Sequence, residues 1–325
     1  MRSSILDIKK ESDFISQALK IFRYQAINNP IYRAYLNHLE LDYKNIKSLV
    51  EIPFLPIQFF KSQRVITGDK PIQHTFSSSG TTGSNTSKHF ITDLEVYEQS
   101  YVSCFDNFYP NARDWNILAL LPSYLERNDS SLVYMVSDLI YRSNRPTSGF
   151  YLNDLEKLSN TLDSLDGQGQ PTLLVGVTFA LLDLIETFKF SLKHTVVMET
   201  GGMKGRRKEL IREELHNKLK LGFGVSKIHS EYGMTELLSQ AYSKGDGKFN
   251  CPPWMRVLIR DIRDPLCIVG HQGTIGAVNI IDLANINSCA FIATDDLGFI
   301  NADNSFSILG RLDRSDIRGC SLLSL

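Results

Sequence analysis

A stretch between residues 77 and 88 has the side chains that a phosphate-binding loop needs. It reads Ser-Ser-Ser-Gly-Thr-Thr-Gly-Ser-Asn-Thr-Ser-Lys. Glycine lets successive backbone N–H groups converge, the hydroxyls add rotatable donors, and Lys88 supplies a full positive charge. These groups together suit the oxygens of a phosphate. The loop residues expected to make the contacts are Ser78, Ser79, Gly80, Thr81, Thr82 and Gly83.

Two other structures could share the composition of this stretch. A solvated Ser/Gly/Thr linker has the same composition, but this stretch lies inside a run of alternating strand and helix patterns, where a flexible linker is not expected. The P-loop of nucleoside triphosphatases has its lysine directly after a glycine and before Ser or Thr, whereas Lys88 lies five residues beyond Gly83. The sequence therefore predicts a phosphate-binding loop of another kind.

Length and charge indicate a globular protein without a general affinity for polyanions. A chain of 325 residues can bury a large core, and either one large domain or two domains are compatible with it. The net charge of −1 gives no field that would collect nucleic acid or an anionic membrane. Residues 1–13 are polar where a signal peptide needs an apolar run, and the apolar segment 173–185 is interrupted by Gly176 and Asp183. A soluble, cytoplasmic protein is expected.

The cysteines do not suggest a disulfide framework or a zinc site, because their number is odd and none has C-x-x-C spacing. They are Cys104, Cys251, Cys267, Cys289 and Cys320. Burial as small apolar side chains is the ordinary expectation for the first four.

Hydrophobic patterns predict an α/β protein in three regions. Residues 1–70 repeat apolar positions at helical spacing and are expected to form a helical N-terminal cap. Residues 71–245 alternate apolar strands with helices, including a helix over 94–108, which predicts a nucleotide-binding region of mostly parallel strands with flanking helices. Residues 246–325 carry short alternating runs between Gly, Asp and Asn turns, which predict a β-rich region of antiparallel strands.

Polar segments follow several of the predicted strands. Glu-Thr-Gly-Gly at 199–202 follows a strand over 195–198, and Glu-Tyr-Gly-Met-Thr-Glu at 231–236 follows one around 227–229. Thr-Asp-Asp-Leu-Gly at 294–298 is expected to end an apolar strand over 290–294. Ligands of open parallel sheets lie beyond the carboxyl ends of the strands, so the first two segments are expected at one edge, where a nucleotide could bind.

Each of these residues has a possible role with ATP and an ordinary alternative. The bare backbone of Gly201 and Gly202 could approach a flat base, and Tyr232 could stack on it. Thr235 could donate to the α-phosphate, and Glu236 offers a hard oxygen ligand for Mg²⁺. The alternatives are a turn for the glycines, a core position for Tyr232 and a helix-capping acid at Glu236.

The order of these motifs resembles the AMP-forming, adenylate-forming superfamily, which contains acyl- and aryl-CoA synthetases and adenylation domains. The motifs are the loop at 77–88, Thr-Gly-Gly at 200–202, Tyr-Gly-Met-Thr-Glu at 232–236, Thr-Asp-Asp-Leu-Gly at 294–298 and Gly-Arg at 310–311. Segments 229–236, 252–258, 281–285 and 318–322 resemble more closely the acyl-protein synthetase family of bacterial luminescence systems and its relatives outside them. The similarity covers most of the chain.

The resemblance implies the large N-terminal-type domain of adenylate-forming enzymes and an ATP- and Mg²⁺-dependent ligase. A carboxylic acid, with a fatty acid favoured, would be converted to acyl-AMP with loss of pyrophosphate and then passed to a thiol. The implied contacts are Thr235 with the α-phosphate, Glu236 with Mg²⁺, Tyr232 with adenine, and Asp296 with Arg311 at the ribose. A partner acyl reductase or carrier is possible, and neither nucleic acid nor a membrane is expected as a partner.

The end of the chain bears on the acyl acceptor. Larger enzymes of the superfamily continue beyond the Gly-Arg motif into a lid domain that carries a lysine, whereas only 320–325 follow Gly319, so a lid is expected to be absent. Luminescence-type synthetases are similarly short and pass the acyl group to a cysteine of their own near the C-terminus. Cys320, whose thiolate Arg318 could favour, is therefore the candidate acceptor, and an idle tail cysteine is the alternative.

Two other functions stay open at this point. The first is a lidless nucleotide-binding subunit that serves an acyl-reductase complex without turnover of its own. The second is a CoA ligase that depends on a lid supplied in trans. Acid-dependent exchange of pyrophosphate into ATP separates the enzymes from the binding subunit.

Overall fold

A computed structural model of the chain describes residues 5–79, 86–122, 126–201 and 210–312. Contacts within it divide the chain into two compact units. The first unit contains residues 1–100, 235–239 and 250–325, and the second contains 101–234 and 240–249.

Helices α1 to α8 are Glu11–Asn28, Pro30–His38, Phe59–Ser62, Leu94–Phe108, Ser131–Ser143, Leu155–Gly167, Thr178–Thr187 and Arg212–Phe223. Strands β1 to β5 are Leu55–Pro56, His74–Ser77, Lys88–Ile91, Asn116–Leu120 and Gly149–Phe150. Strands β6 to β10 are Thr172–Gly176, Thr195–Glu199, His229–Tyr232, Ala241–Ser243 and Phe249–Asn250. Strands β11 to β15 are Met255–Arg260, Ile268–Val269, Gly276–Asp282, Phe291–Ile300 and Phe306–Arg311.

The first unit is built around antiparallel strands. β11, β13, β14 and β15 pair in the order β11-β13-β14-β15, and β1 adds to β14 in parallel. Helix α1 buries Phe14, Ala18 and Phe22, which are four residues apart and therefore lie on one face. Phe22 packs edge-on against Phe291 of β14 with ring centroids 5.9 Å apart. The β-rich C-terminal part is confirmed, and the helices near the N-terminus lie in the same unit as its strands.

The second unit contains a parallel sheet. Strands β4, β6, β7 and β8 pair in parallel in that order, with β5 beside β4 and β9 antiparallel to β8. All five residues of β4 and all five of β6 are buried, which explains why both strands read as unbroken apolar runs in the sequence. Helices α6, α7 and α8 pack apolar side chains such as Leu158, Leu181 and Leu219 into the same core. The predicted α/β fold is confirmed.

The predicted phosphate loop connects two paired strands of the first unit. β2 and β3 form an antiparallel hairpin in which Phe76 lies opposite His89 and Ser77 opposite Lys88. Gly80, Thr81, Thr82 and Gly83 lie outside the described residues.

β7 includes Glu199, one residue beyond its predicted end, and two other strands differ more from their predicted bounds. β8 runs over His229–Tyr232 instead of 227–229, so Tyr232 lies in the strand and not after it. β14 runs over Phe291–Ile300 instead of 290–294, and Asp296 lies in its middle, opposite Arg311 of β15. Asp is rare in strands, which is why the sequence pattern ended the strand early, but pairing with neighbouring strands on both sides continues it. Among the helices in the described ranges, none has the length and apolar character needed to span a bilayer.

Candidate active site

The base of the hairpin loop is held closed by two hydrogen bonds. The Ser78 N–H donates to the Ser87 carbonyl, and the Ser87 N–H donates to the Ser78 hydroxyl, each at 3.0 Å. Ser79 and Lys88, just beyond this closure on either strand, are exposed. The hairpin therefore fixes where the loop begins and ends and presents Lys88 to solvent.

Glu236 lies against this base within the first unit. The residue is 5% exposed, and its carboxylate accepts a hydrogen bond from the side chain of Ser87. Burial raises the pKa of Glu236, while the Ser87 hydrogen bond and the charges of Arg311 and Lys61 act in the opposite direction. Burial disfavours the ionised form of this carboxylate, and a divalent cation bound beside it would stabilise that form. Glu236 thus fits the predicted metal ligand, and Lys61 is a nearby cation that the sequence did not single out.

The segment that contains Thr235 and Glu236 is fixed from behind by a buried aspartate. Asp282 accepts the N–H groups of Leu238 at 2.8 Å and Ser239 at 3.0 Å, and the Ser239 hydroxyl at 2.6 Å. Burial raises the pKa of Asp282, and these hydrogen bonds oppose the shift. Asp282 lies in the segment 281–285 that resembles the acyl-protein synthetases. Its hydrogen bonds to Leu238 and Ser239, more than forty positions earlier in the chain, were not predicted.

Asp296 and Arg311 face each other on adjacent strands of the first unit. The Arg311 Nε lies 3.3 Å from an Asp296 carboxylate oxygen, and the Arg311 side chain is 60% exposed. The preceding carboxylate, Asp295, instead accepts both of its hydrogen bonds from the Gln58 amide, at 2.5 and 2.7 Å. Asp296 and Arg311, both predicted to contact the ribose, are therefore neighbours. The two aspartates have different partners, Gln58 for Asp295 and Arg311 for Asp296.

In the second unit, Gly201 and Tyr232 have well-defined surroundings. Gly201 has φ +73°, and no described atom lies within 4 Å of the position that a Cβ would occupy. Its N–H donates to a Glu199 carboxylate oxygen at 2.7 Å. Tyr232 is 8% exposed, and its ring lies 5.7 Å from that of Phe249. None of the described residues fills the space beside Gly201, and the ring of Tyr232 is mostly buried beside Phe249. Gly202 lies outside the described residues.

Glu199 is the centre of a buried charge network that the sequence did not reveal. Arg212 Nη1 lies 2.8 Å and His216 Nε2 3.5 Å from one of its oxygens. Burial alone would raise the pKa of Glu199, but the hydrogen bond from His216 and the charge of Arg212, with further hydrogen bonds, lower it to about 2. Arg212 and His216 are four residues apart on one face of α8, and this spacing was the available signal.

An apolar pocket lies over β4, β6 and β7 in the second unit. Its walls include Ile117, Val175 and Leu139, and they lie so close together that only about 10 Å³ is wide enough for a water molecule. Thr200 and Glu231 add polar atoms to the wall. Burial, with the nearby charge of Glu199, raises the pKa of Glu231 to about 8. The lining is apolar apart from Thr200 and Glu231, and the sequence analysis had not identified its apolar residues.

The cysteines follow the expectation of burial with one exception. Cys104 and Cys289 are buried and Cys251 is half-buried, but Cys267 is exposed. The expectation for Cys267 was wrong because it lies in the short turn between β11 and β12, where its N–H donates to the Asp264 carbonyl. Cys320 lies outside the described residues.

Comparisons with known proteins agree on one kind of enzyme. The family model described as "Acyl-protein synthetase, LuxE" matches residues 7–324. A long-chain-fatty-acid–luciferin-component ligase of Aliivibrio fischeri is 25% identical over 333 residues, covering 93% of this chain and 85% of that protein.

Solved structures of adenylate-forming enzymes share the fold. An open conformation of 2-hydroxyisobutyryl-CoA ligase, in complex with 2-HIB-AMP and CoA, matches with a TM-score of 0.67 at 12% identity, over 94% of this chain and 70% of that one. ATP-bound MatB from Rhodopseudomonas palustris matches with a TM-score of 0.55 at 18% identity, over 75% of this chain. The match spans half the length of the MatB chain.

Proposed function

The chain belongs to the acyl-protein synthetase LuxE family, and we propose that it activates a fatty acid with ATP and passes the acyl group to a thiol. A carboxylate oxygen attacks the α-phosphorus, an O–P bond forms, and the bond between the α-phosphorus and the bridging oxygen breaks to release pyrophosphate. A thiolate then attacks the carbonyl carbon of the acyl-AMP, and AMP leaves with the carboxylate oxygen. A free carboxylate has no good leaving group for attack by a thiolate, and AMP supplies one.

The family match over residues 7–324 is the observation that carries this proposal. The choice of a fatty acid is supported by the luciferin-component ligase, which is named for a long-chain fatty acid. An alkyl chain could enter the apolar pocket of the second unit only if its walls opened. Met135 and Met198 line that pocket, and their unbranched side chains can change rotamer.

The first unit supplies donors suited to the triphosphate. We propose that the loop at 77–88, with Lys88, binds the β- and γ-phosphates and that Thr235 contacts the α-phosphate. In-line attack spreads negative charge over the equatorial phosphate oxygens, so positioned donors and positive charge carry most of the catalysis. The closure between Ser78 and Ser87 supports this because it holds the loop beside Glu236.

Glu236 would hold Mg²⁺. When bound, the metal neutralises charge on the phosphate oxygens. The carboxylate suits this hard cation, and Ser87 orients it towards the base of the phosphate loop.

For the nucleoside we propose Asp296 with Arg311 at the ribose hydroxyls, and Gly201, Gly202 and Tyr232 at the adenine. The ion pair of Asp296 and Arg311 supports the first assignment because both side chains are already neighbours on adjacent strands. The second assignment is supported by Gly201, because no atom of the described residues lies within 4 Å of its Cβ position and a base needs close approach to the backbone.

Two thiols are candidates for the acyl acceptor. Cys320 is the first choice, and a thiol on a partner acyl reductase or carrier protein is the second. A covalent acyl adduct on the chain itself distinguishes them.

A screen of acid-dependent exchange of labelled pyrophosphate into ATP tests the proposed chemistry. Fatty, aryl and amino acids are supplied separately at saturating Mg²⁺. We expect exchange with fatty acids and little with the other two classes. ATP binding without exchange for any acid would contradict the enzyme and favour a nucleotide-binding subunit, whereas exchange confined to aryl or amino acids would contradict the substrate assignment.

A further inference from the structure

A buried histidine links the phosphate hairpin to the proposed catalytic segment. His89 of β3 is 0% exposed, and its Nδ1 lies 2.8 Å from the carbonyl oxygen of Thr235. Its Nε2 lies 3.1 Å from the side-chain oxygen of Asn285. The ring of Phe60 packs edge-on against it at 5.6 Å and 89°, which fixes the plane of the imidazole.

Asn285 completes the link on the other side of the same segment. It is also 0% exposed, and its side-chain N–H donates to the carbonyl of Glu236 at 2.7 Å. The consecutive carbonyls of Thr235 and Glu236 therefore contact one pair of buried side chains. Residues 235–239 form no strand or helix, so their backbone position depends on side chains of this kind.

The hairpin contacts the segment through two side chains on one face. Ser87 and His89 are two positions apart, and successive residues of an extended chain point to opposite faces. Ser87 reaches the carboxylate of Glu236, and His89 reaches the backbone of Thr235. Lys88, between them, is exposed on the other face. The same short stretch thus carries the loop lysine and the contacts to the proposed metal ligand.

We propose that His89 is a positioning residue for the adenylation step. It holds the Thr235 carbonyl against the hairpin. Thr235 and Glu236, proposed for the α-phosphate and Mg²⁺, therefore keep a fixed distance from the loop at 77–88, proposed for the β- and γ-phosphates. This inference rests on the proposed function, because it assigns a task to His89 only if these segments share one triphosphate.

The contact with Thr235 is the one that matters most. Burial lowers the pKa of His89 to about 4, more than the hydrogen bonds to Thr235 and Asn285 offset, so the ring is neutral at pH 7. A neutral ring has one N–H for two oxygen neighbours. We assign that hydrogen to Nδ1, because the Nδ1 contact is the shorter one.

Substitutions that replace one ring nitrogen at a time test this assignment. In His89→Asn the side-chain amide can take the place of Nδ1, in His89→Gln it can take the place of Nε2, and His89→Leu has neither. We expect His89→Asn to keep kcat of pyrophosphate exchange within about threefold, and the other two to lose about tenfold to 100-fold. His74→Leu, on the paired strand of the same hairpin, is the control and is expected to keep kcat.

A merely structural role would give another pattern. It predicts losses that follow the melting temperature, with His89→Asn as impaired as His89→Gln, and that result would overturn the inference. A positioning role predicts a fall in kcat with an unchanged KM for the acid, because residues 235–239 are proposed to contact the nucleotide and its metal and not the acid.

Calorimetric titration with Mg·ATP keeps the test independent of turnover. His89→Leu is expected to bind Mg·ATP about tenfold more weakly than wild type at unchanged fold content. Equal affinity would overturn the inference even if wild type is an active ligase. If wild type binds Mg·ATP but shows no exchange with any acid, the proposed function fails while the comparison of affinities still decides the role of His89. If wild type does not bind Mg·ATP, both fail.

Discussion

At the scale of single residues, two buried glutamates show how partners decide the state of a carboxylate. Glu199 and Glu236 are 3% and 5% exposed. The pKa of Glu199 is lowered to about 2 because Arg212 and His216 lie against it. The pKa of Glu236 is raised because burial outweighs the Ser87 hydrogen bond and more distant charges. Glu199 is thus an ionised carboxylate in a structural ion pair, whereas a bound cation would stabilise the ionised form of Glu236.

Glu236→Gln separates metal handling from folding. The neutral amide removes the hard anionic ligand, so we expect exchange at limiting Mg²⁺ to fall more than about tenfold, with partial recovery at high Mg²⁺. The melting temperature should stay level or rise, because burial already disfavours the charge. Glu213→Gln, on the exposed first turn of α8, is the control. Full exchange by Glu236→Gln at limiting Mg²⁺ would remove the metal assignment.

Glu199→Gln should show a pH-dependent loss of stability. The folded-state pKa of about 2 lies below the ordinary 4.5, so ionised Glu199 stabilises the fold above about pH 5, and this contribution disappears as the pH falls from about 4.5 to about 2. We expect roughly 2–4 kcal/mol at pH 7, measured by denaturant unfolding. A difference between wild type and variant that is the same at pH 3 and pH 7 would rule out this account.

At the scale of elements, the sequence predicted what depends on local pattern. Helix Leu94–Phe108 was predicted with both of its bounds, and β4 and β6 were recognised because burial on both faces leaves an apolar run. β14 was cut short at Asp295, since its continuation depends on pairing with strands that are remote in the sequence.

In the candidate site, too, local motifs could be predicted and contacts between remote residues could not. Glu236 and Lys88 could be chosen from their own motifs, and Asp296 and Arg311 were assigned together through the family resemblance. The contacts that fix the site join residues far apart in the chain. His89 meets Thr235 across 146 positions. A single sequence carries no signal for such a contact, because neither residue changes the local periodicity.

Packing of α7 against α8 should reverse the usual effect of a glycine substitution. Alanine normally favours a helix over glycine, but a Cβ at Gly222 would lie 2.5 Å from the Cβ of Ile185. We expect Gly222→Ala to destabilise the protein by about 1–3 kcal/mol in thermal or denaturant unfolding.

Gly167→Ala, at the exposed end of α6, is the matched control. Outside its own helix, no atom of the described residues lies within 4 Å of its Cβ position, so the substitution should stabilise the protein by up to about 1 kcal/mol. Stabilisation by both substitutions would show that α7 and α8 are not closely packed at this point.

At the scale of the whole molecule, the family model places the chain among the acyl-protein synthetases, and the solved structures show a shared fold. The family model spans residues 7–324, and the fold is shared with enzymes solved with ATP or with an acyl-AMP.

Self-acylation tests the acceptor directly. Incubation with ATP, Mg²⁺ and a radiolabelled long-chain fatty acid should give a protein adduct that hydroxylamine releases, as expected of a thioester. We expect Cys320→Ser to lose the label and Cys267→Ser, which removes an exposed cysteine elsewhere, to keep it. Labelling of Cys320→Ser as strong as that of wild type would move the acceptor to another residue or to a partner protein.

The most direct test of the central claim follows the oxygen atoms of the acid. Turnover of a fatty acid carrying ¹⁸O in its carboxylate, with hydroxylamine as acceptor, is analysed by mass spectrometry of the nucleotide product. Attack of the carboxylate on the α-phosphorus predicts AMP that contains one ¹⁸O from the acid. Unlabelled AMP, or ADP as the product, would contradict activation through an acyl-adenylate.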